Sequence, residues 1–425
     1  MNQDNTAISA RQADDDITRR GFLRAATAAS ASLLATAPIA VADTVHAPSP
    51  PPPPRKIKLG WIGCGGRGAW LAKLFRDHGG YEFCAVADYF PDQVQACGEA
   101  LGVDKSRRFT GLSGYKKVLD CGVEALGVLD VPCFYPEQAT AAVAAGCHVY
   151  IAKPIAVDAP GCLAIEAAGK LATQKDLCFL VDYQVPTDPV NIEVVERIWD
   201  GGLGQLRAVT TIGQAGGANR MADPPKGKTI ESRLRGLIWC NDIPLGGDPI
   251  VNYDIHAIDA AVWAIGRRPI SAVGYSQICR PDPHGDAQDL AFITFEFPGG
   301  LLWNHKNIRL PDHGGVTLEC NIHGQLASAR IGYNGKSFLR GGPKHFGGGT
   351  VDKLYLEGAK RNIATFHQSI VERRFDNPTV RRAVDGTLAA ILGREAAMRG
   401  VRMTMDELLK EKRKLEVDLT GLNEG

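Results

Sequence analysis

The chain has 425 residues, 44% hydrophobic and 22% charged, the balance of a soluble globular protein with two domains and additional segments. A net charge of +1, with no basic stripe interleaved with aromatics, argues against a nucleic-acid partner. No segment beyond the N-terminal run offers about 20 unbroken apolar residues, so no membrane span is expected in the mature form.

The first residues differ from the rest. Thr18-Arg19-Arg20-Gly21-Phe22-Leu23-Arg24 sets paired arginines ahead of an Ala-rich run that ends in Ala40-Val41-Ala42. Small residues at that spacing suit a signal peptidase. The stretch resembles a twin-arginine export signal over 1–42, which implies the twin-arginine export machinery as a partner and a periplasmic or otherwise exported location. Residues 43–55 form a linker in which Pro50 to Pro54 make a stiff, extended spacer. The eleven cysteines are odd in number and show no CxxC spacing. Cys84, Cys178, Cys240 and Cys320 sit in apolar runs, where a free thiol acts as a small hydrophobe. Free thiols fit a route that exports proteins already folded in a reducing cytoplasm.

From Lys56 to Ile62 the sequence predicts a strand, followed by Gly63-Cys64-Gly65-Gly66-Arg67-Gly68 and a helix from Ala69 to Phe75. In such a turn Gly63 permits the tight bend, Gly65 admits a pyrophosphate, and Gly68 lets helix pack on strand. The helix start offers unpaired N–H groups to phosphate. A second strand, Phe83–Ala87, ends in Asp88, about twenty residues past the last glycine, where an acid binds the adenosine ribose hydroxyls. Asp88 favours NAD, and because neighbouring side chains also set that choice, NADP stays open. Helices Pro91–Leu101, Tyr115–Asp120 and Pro136–Ala145 alternate with strands Ala125–Leu129 and His148–Ile151. Residues 56–178 are therefore expected to form a Rossmann domain, a parallel sheet with helices on both faces. Lys153, in Val149-Tyr150-Ile151-Ala152-Lys153-Pro154, falls just past the carboxyl end of a strand, on the rim where such sheets bind ligands.

Residues 179–425 are expected to form an α+β domain with an open, mostly antiparallel sheet. Its strands are read at Leu206–Gly213, Ile270–Gln277, Ala287–Phe297, Leu301–His305, Val316–Ile322 and Ala327–Ile331. Asp248 caps and Pro249 starts a helix expected to run unbroken to Ile265. Val251, Ile255, Ile258, Val262 and Ile265 give it a buried face, and Asn252, His256 and Asp259, with Tyr253, form a neighbouring polar stripe. Helices are also expected at Ile363–Arg373 and Val380–Arg399. Tyr183, Trp303 and His305 are candidate sugar contacts, each also compatible with packing. No metal constellation is apparent.

The glycine turn, Ala145-Gly146-Cys147-His148-Val149-Tyr150, Lys153-Pro154 and the segment around His256, in this order, resemble the Gfo/Idh/MocA family of glucose–fructose oxidoreductase, inositol dehydrogenase and rhizopine catabolism proteins. The resemblance covers nearly all of the mature chain. It implies an exported NAD(P)-dependent oxidoreductase that moves hydride at a sugar, polyol or glycoside hydroxyl or carbonyl. Lys153 and His256 would be catalytic. Asn252, Tyr253, Asp259 and Tyr183 would touch substrate. Gly63, Cys64, Gly65, Gly66, Arg67, Gly68, Asp88, Pro132 and Lys153 would touch the cofactor. A homo-oligomer is implied too. The chain departs from the family pattern at Ala152, where glutamate is usual, at Pro136, where histidine is usual, and at Asn252, where aspartate is common. Free NAD is scarce outside the cytoplasm, so an exported enzyme would hold its cofactor tightly. Two other readings stay open: a redox-neutral NAD-dependent glycosidase working through a keto-sugar, since Tyr253 and His256 match its Tyr-x-x-His pair, and a non-catalytic sugar-binding relative.

Overall fold

The computed structural model describes residues 55–217, 229–280, 285–310 and 315–425. The leader expected at 1–42, and all of the linker except Arg55, lie outside these residues. Six strands pair in parallel: β1 (Ile57–Ile62), β2 (Tyr81–Asp88), β3 (Arg108–Thr110), β4 (Ala125–Val128), β5 (His148–Ala152) and β6 (Phe179–Asp182), in the order β3-β2-β1-β4-β5-β6. This is the doubly wound sheet expected from alternating strand and helix patterns. The sheet continues through Phe179–Asp182, past the 178 boundary read from the sequence. β1, β4 and β5 are almost wholly buried, which is why they read as apolar runs rather than alternating ones. Trp61, Phe75 and Tyr150 pack edge to face beneath them, with centroids 4.9 to 5.2 Å apart.

A second sheet has nine strands: β7 (Leu206–Gln214), β8 (Ser271–Gln277), β9 (Leu290–Glu296), β10 (Leu302–Ile308), β11 (Thr317–Gly324), β12 (Ala327–Gly332), β13 (Gly335–Gly341), β14 (Phe346–Val351) and β15 (Met403–Thr404). Their order is β14-β13-β12-β11-β7-β10-β9-β8-β15, and only the β7–β10 pair is parallel. β13 and β14 escape the sequence pattern because Gly335, Gly341 and Gly347 to Gly349 interrupt it. One face of this sheet packs on helices Ile255–Ile265 and Pro378–Arg399. Phe295 and Trp303 stack there with centroids 4.4 Å apart. Among the described residues no helix is long and apolar enough to cross a membrane.

The helix expected from Pro249 to Ile265 is two helices, Pro249–Asn252 and Ile255–Ile265, a correction to the sequence reading. Between them Asp254 N–H reaches back five residues to Pro249 C=O, and the Asp254 carboxylate turns inward to His305. A buried acid that finds a fixed partner outweighs the local helical preference. The break turns Asn252 and Tyr253 from the line of the later helix toward the carboxyl edge of the parallel sheet. Arg394, 1% exposed, braces this entry by donating to Val157 C=O and Gly247 C=O, both at 2.9 Å. It thereby ties the chain after Lys153 to the chain before Asp248.

Candidate active site

A cleft of about 930 Å³ runs along the carboxyl edge of the parallel sheet and is closed on its far side by the second sheet. Gly63, Asp88, Asp130 and Lys153 reach it from the ends of β1, β2, β4 and β5. Topology alone brings these four together.

The glycine turn is built for close approach. Gly63 has φ +87°, and a Cβ there would lie 2.4 Å from Leu129 C. A Cβ at Gly68 would lie 1.9 Å from Gly63 O, so the helix Gly66–His78 can sit on β1 only without one. Gly66 faces open space and Gly65 meets only the Gln93 side chain. No side chain caps this helix, so its first N–H groups are left to a ligand. Asp88 accepts from Cys64 N–H at 2.7 Å and Phe90 N–H at 2.9 Å. Each carboxylate oxygen keeps a lone pair for a ribose hydroxyl. Burial, with Asp130 nearby, pushes the Asp88 carboxyl up to about 6. An uncapped helix start, a bare glycine cradle and a two-handed acid at this spacing fit a dinucleotide, with pyrophosphate at Gly65–Arg67 and adenosine toward Asp88.

At the other end lies the polar cluster. Lys153 Nζ donates to Asn252 C=O at 2.5 Å. Burial, then the Arg67 charge, pushes its ammonium down to about 7. Arg67 itself pairs with the buried Asp182 at 2.6 Å and lies 5.0 Å from the Tyr355 ring. His256 is held well below its ordinary range by burial, then by Lys153 and Arg67, so its imidazole is neutral. Its Nδ1 and the Asn252 Nδ2 are buried without partners, and both residues line the cleft. Unpaired buried polar atoms are rare, and two on residues that line one cleft point to a polar ligand there. Tyr333 packs against the His256 ring at 4.7 Å, and the Arg309 guanidinium lies 4.7 Å from the Tyr253 ring centre.

Of the residues singled out from sequence, Gly63, Gly65, Gly66, Arg67, Gly68, Asp88, Lys153, Asn252, Tyr253 and His256 line the cleft. Cys64, Pro132, Asp259 and Tyr183 do not. The Cys64 side chain turns to Ala87 C=O at 3.5 Å, and only its N–H serves the site, by holding Asp88. Pro132 is buried beneath Val131 and Phe134, which face the cleft instead. Asp259, one turn beyond His256, is wholly buried and pairs with Arg382 at 2.9 Å. Tyr183 is buried beside the same Arg382. Trp303 and His305 also belong to the core, each bonded to Thr211. Cys240, read as a buried hydrophobe, lines the cleft near Lys153. Sequence reading missed Asp130, Arg309, Tyr333 and Tyr355. Asp130 was findable, since it directly follows the β4 run; the others reach the cleft only through tertiary packing.

No protein-family model matches the chain. It is 26% identical to the D-glucoside 3-dehydrogenase of Escherichia coli over 265 residues, 59% of this chain and 69% of that protein. It is also 26% identical to inositol 2-dehydrogenase 2 of Saccharopolyspora erythraea over 255 residues, 58% of this chain and 65% of that one. In fold it matches levoglucosan dehydrogenase, solved with NADH and levoglucosan, with a TM-score of 0.65 at 17% identity, over 83% of this chain and all of that one.

Proposed function

We propose that this chain is a Gfo/Idh/MocA-type oxidoreductase that uses NAD to oxidise or reduce a sugar, polyol or glycoside. The observation that carries the reading is Lys153, pushed down to about 7 and set beside the unpartnered polar atoms of His256 and Asn252 in the cleft that begins at the glycine turn. When bound, the nicotinamide supplies a two-electron acceptor at its C4. Lys153, half of it free amine at neutral pH, takes the hydroxyl proton as the carbon gives up hydride, so the C–OH becomes C=O and the lysine becomes ammonium. His256 is held neutral and Asn252 cannot take a proton; both orient the hydroxyl. The Asn252 carbonyl steadies the charged lysine that results.

The twin-arginine leader points to export, and an exported enzyme would retain its cofactor and recycle it with a second substrate. The C-terminal tail suits retention. Leu422 and Val417 pack on Phe90, Val131 and Leu234, all of which line the cleft toward the Asp88 end. Asn423 and Glu424 carbonyls accept from Leu112 and Ser113 N–H at 3.0 and 2.8 Å. The open face of the second sheet, with Tyr275, Phe292 and Leu302 exposed, suits a homo-oligomer. Protein folded in the cytoplasm should release NAD on denaturation, and its bound NAD should be reduced by a sugar at 340 nm. A preparation with no nucleotide and no affinity for one would reject the reading.

A further inference from the structure

Arg309 follows β10 at the mouth of the cleft, and its N–H donates to Asp289 C=O at 2.7 Å. Its guanidinium carbon lies 4.7 Å from the Tyr253 ring centre, within cation–π range, and Arg309 lines the same cleft as Lys153 and His256. No carboxylate pairs with it among the described residues, and its Nε is buried without a partner. The other two arginines that line this cleft among the described residues are matched: Arg67 with Asp182 and Arg280 with Asp289. Asp254, adjacent to Tyr253, bonds His305 through one carboxylate oxygen at 3.0 Å; it feels the Arg309 charge but forms no ion pair with it.

Among the described residues, Arg309 is therefore the cation at the reacting end with no hydrogen-bonded carboxylate. Arg67 is neutralised by Asp182, and Lys153 is half neutral near pH 7. The Arg309 guanidinium has no such carboxylate among the described residues, and an oxidised nicotinamide would add a further positive charge. A neutral sugar that displaced water from Arg309 would leave a guanidinium desolvated and unpaired, at a net cost. A carboxylate would meet its fork with two parallel hydrogen bonds.

We infer that the substrate is anionic, a sugar acid such as a uronate or aldonate whose carboxylate is bound by Arg309 while its hydroxyl lies between Lys153 and His256. The inference rests on the oxidoreductase reading for the fate of the hydroxyl, but the anion site stands or falls by binding. The test compares sugar acids with their uncharged amides, glucuronate with glucuronamide first and then a panel of uronates and aldonates, by calorimetry on the nucleotide-loaded protein. The same compounds are then followed at 340 nm. The expected result is an acid bound roughly 10- to 100-fold more tightly than its amide, with the preference lost in Arg309→Gln, reduced in Arg309→Lys, and nucleotide content unchanged in both. The inference is overturned if no acid in the panel outbinds its amide, or if Arg309→Gln weakens acid and amide alike. Preferential binding of an acid with no absorbance change for any compound would uphold the anion site and count against the oxidoreductase reading.

Discussion

Lys153 sets a pH dependence whose size can be worked out. With its ammonium at about 7 instead of 10.5, half of the lysine is free base at pH 7. An unshifted lysine would be roughly 0.03% free base there, so the environment raises the supply of base by about 1,500-fold. Oxidation needs the free amine, so its rate should climb tenfold per pH unit below 7 and level off above it; at pH 5 it should stand about 100-fold under the plateau. Reduction needs the ammonium and should fall as pH rises through the same point. Burial is the main cause of the shift and Arg67 the next, so Arg67→Gln, which also removes the cation beside Asp182, should move the inflection upward. The assay is single-turnover reduction of bound NAD at 340 nm from pH 5 to 9. Lys153→Met should lose the inflection and roughly 100- to 10,000-fold in rate. His256→Asn should slow the reaction without moving the inflection, because burial, Lys153 and Arg67 disfavour the charged form of that imidazole. A flat wild-type profile, or an inflection that survives Lys153→Met, would refute the argument.

Gly68→Ala forces a Cβ to within 1.9 Å of Gly63 O, so the variant should purify without nucleotide, as shown by the absorbance ratio of the native protein. Asp259→Asn removes the buried carboxylate to which Arg382 donates, which should cost about 1.5–3 kcal/mol of stability in urea unfolding, while the pH inflection of the surviving folded enzyme stays in place. A shifted inflection would return Asp259 to the active site. Removing residues 416–425 should speed nucleotide loss on dialysis with little change in the single-turnover rate, since the tail touches the Asp88 end of the cleft and not Lys153. Equal retention by the truncated protein would remove the tail from the account of cofactor holding.

The parallel sheet and the nucleotide end of the cleft were legible in the sequence because both depend on local signals. Buried parallel strands leave apolar runs, and a helix that crosses a strand closely leaves glycines at set spacing. Lys153 and His256 were placed from chain order and resemblance, and Lys153 on the rim follows from strand order alone. What escaped is set by tertiary contacts. Nothing near Asp254 announces that its carboxylate will turn to His305 and break the helix, yet that break aims Asn252 and Tyr253. Asp259 keeps helical register with His256, but Arg382, 123 residues later, claims it for the core. Arg309 and Tyr333 come from strand ends of the second sheet, where period-2 patterning tells which residues are buried but not which loop overhangs a distant rim.

The most direct measurement of the central claim is to denature protein purified from the cytoplasm, identify any released nucleotide, and follow the native protein at 340 nm as sugars, sugar acids and glycosides are added. NAD should appear in the supernatant, and absorbance should rise lastingly with at least one of these compounds, a rise absent in Lys153→Met. Bound NAD with aglycone released and no lasting rise would contradict net oxidoreduction and favour the transient keto-sugar route; a protein without nucleotide, and with no affinity for it, would contradict the cofactor site itself.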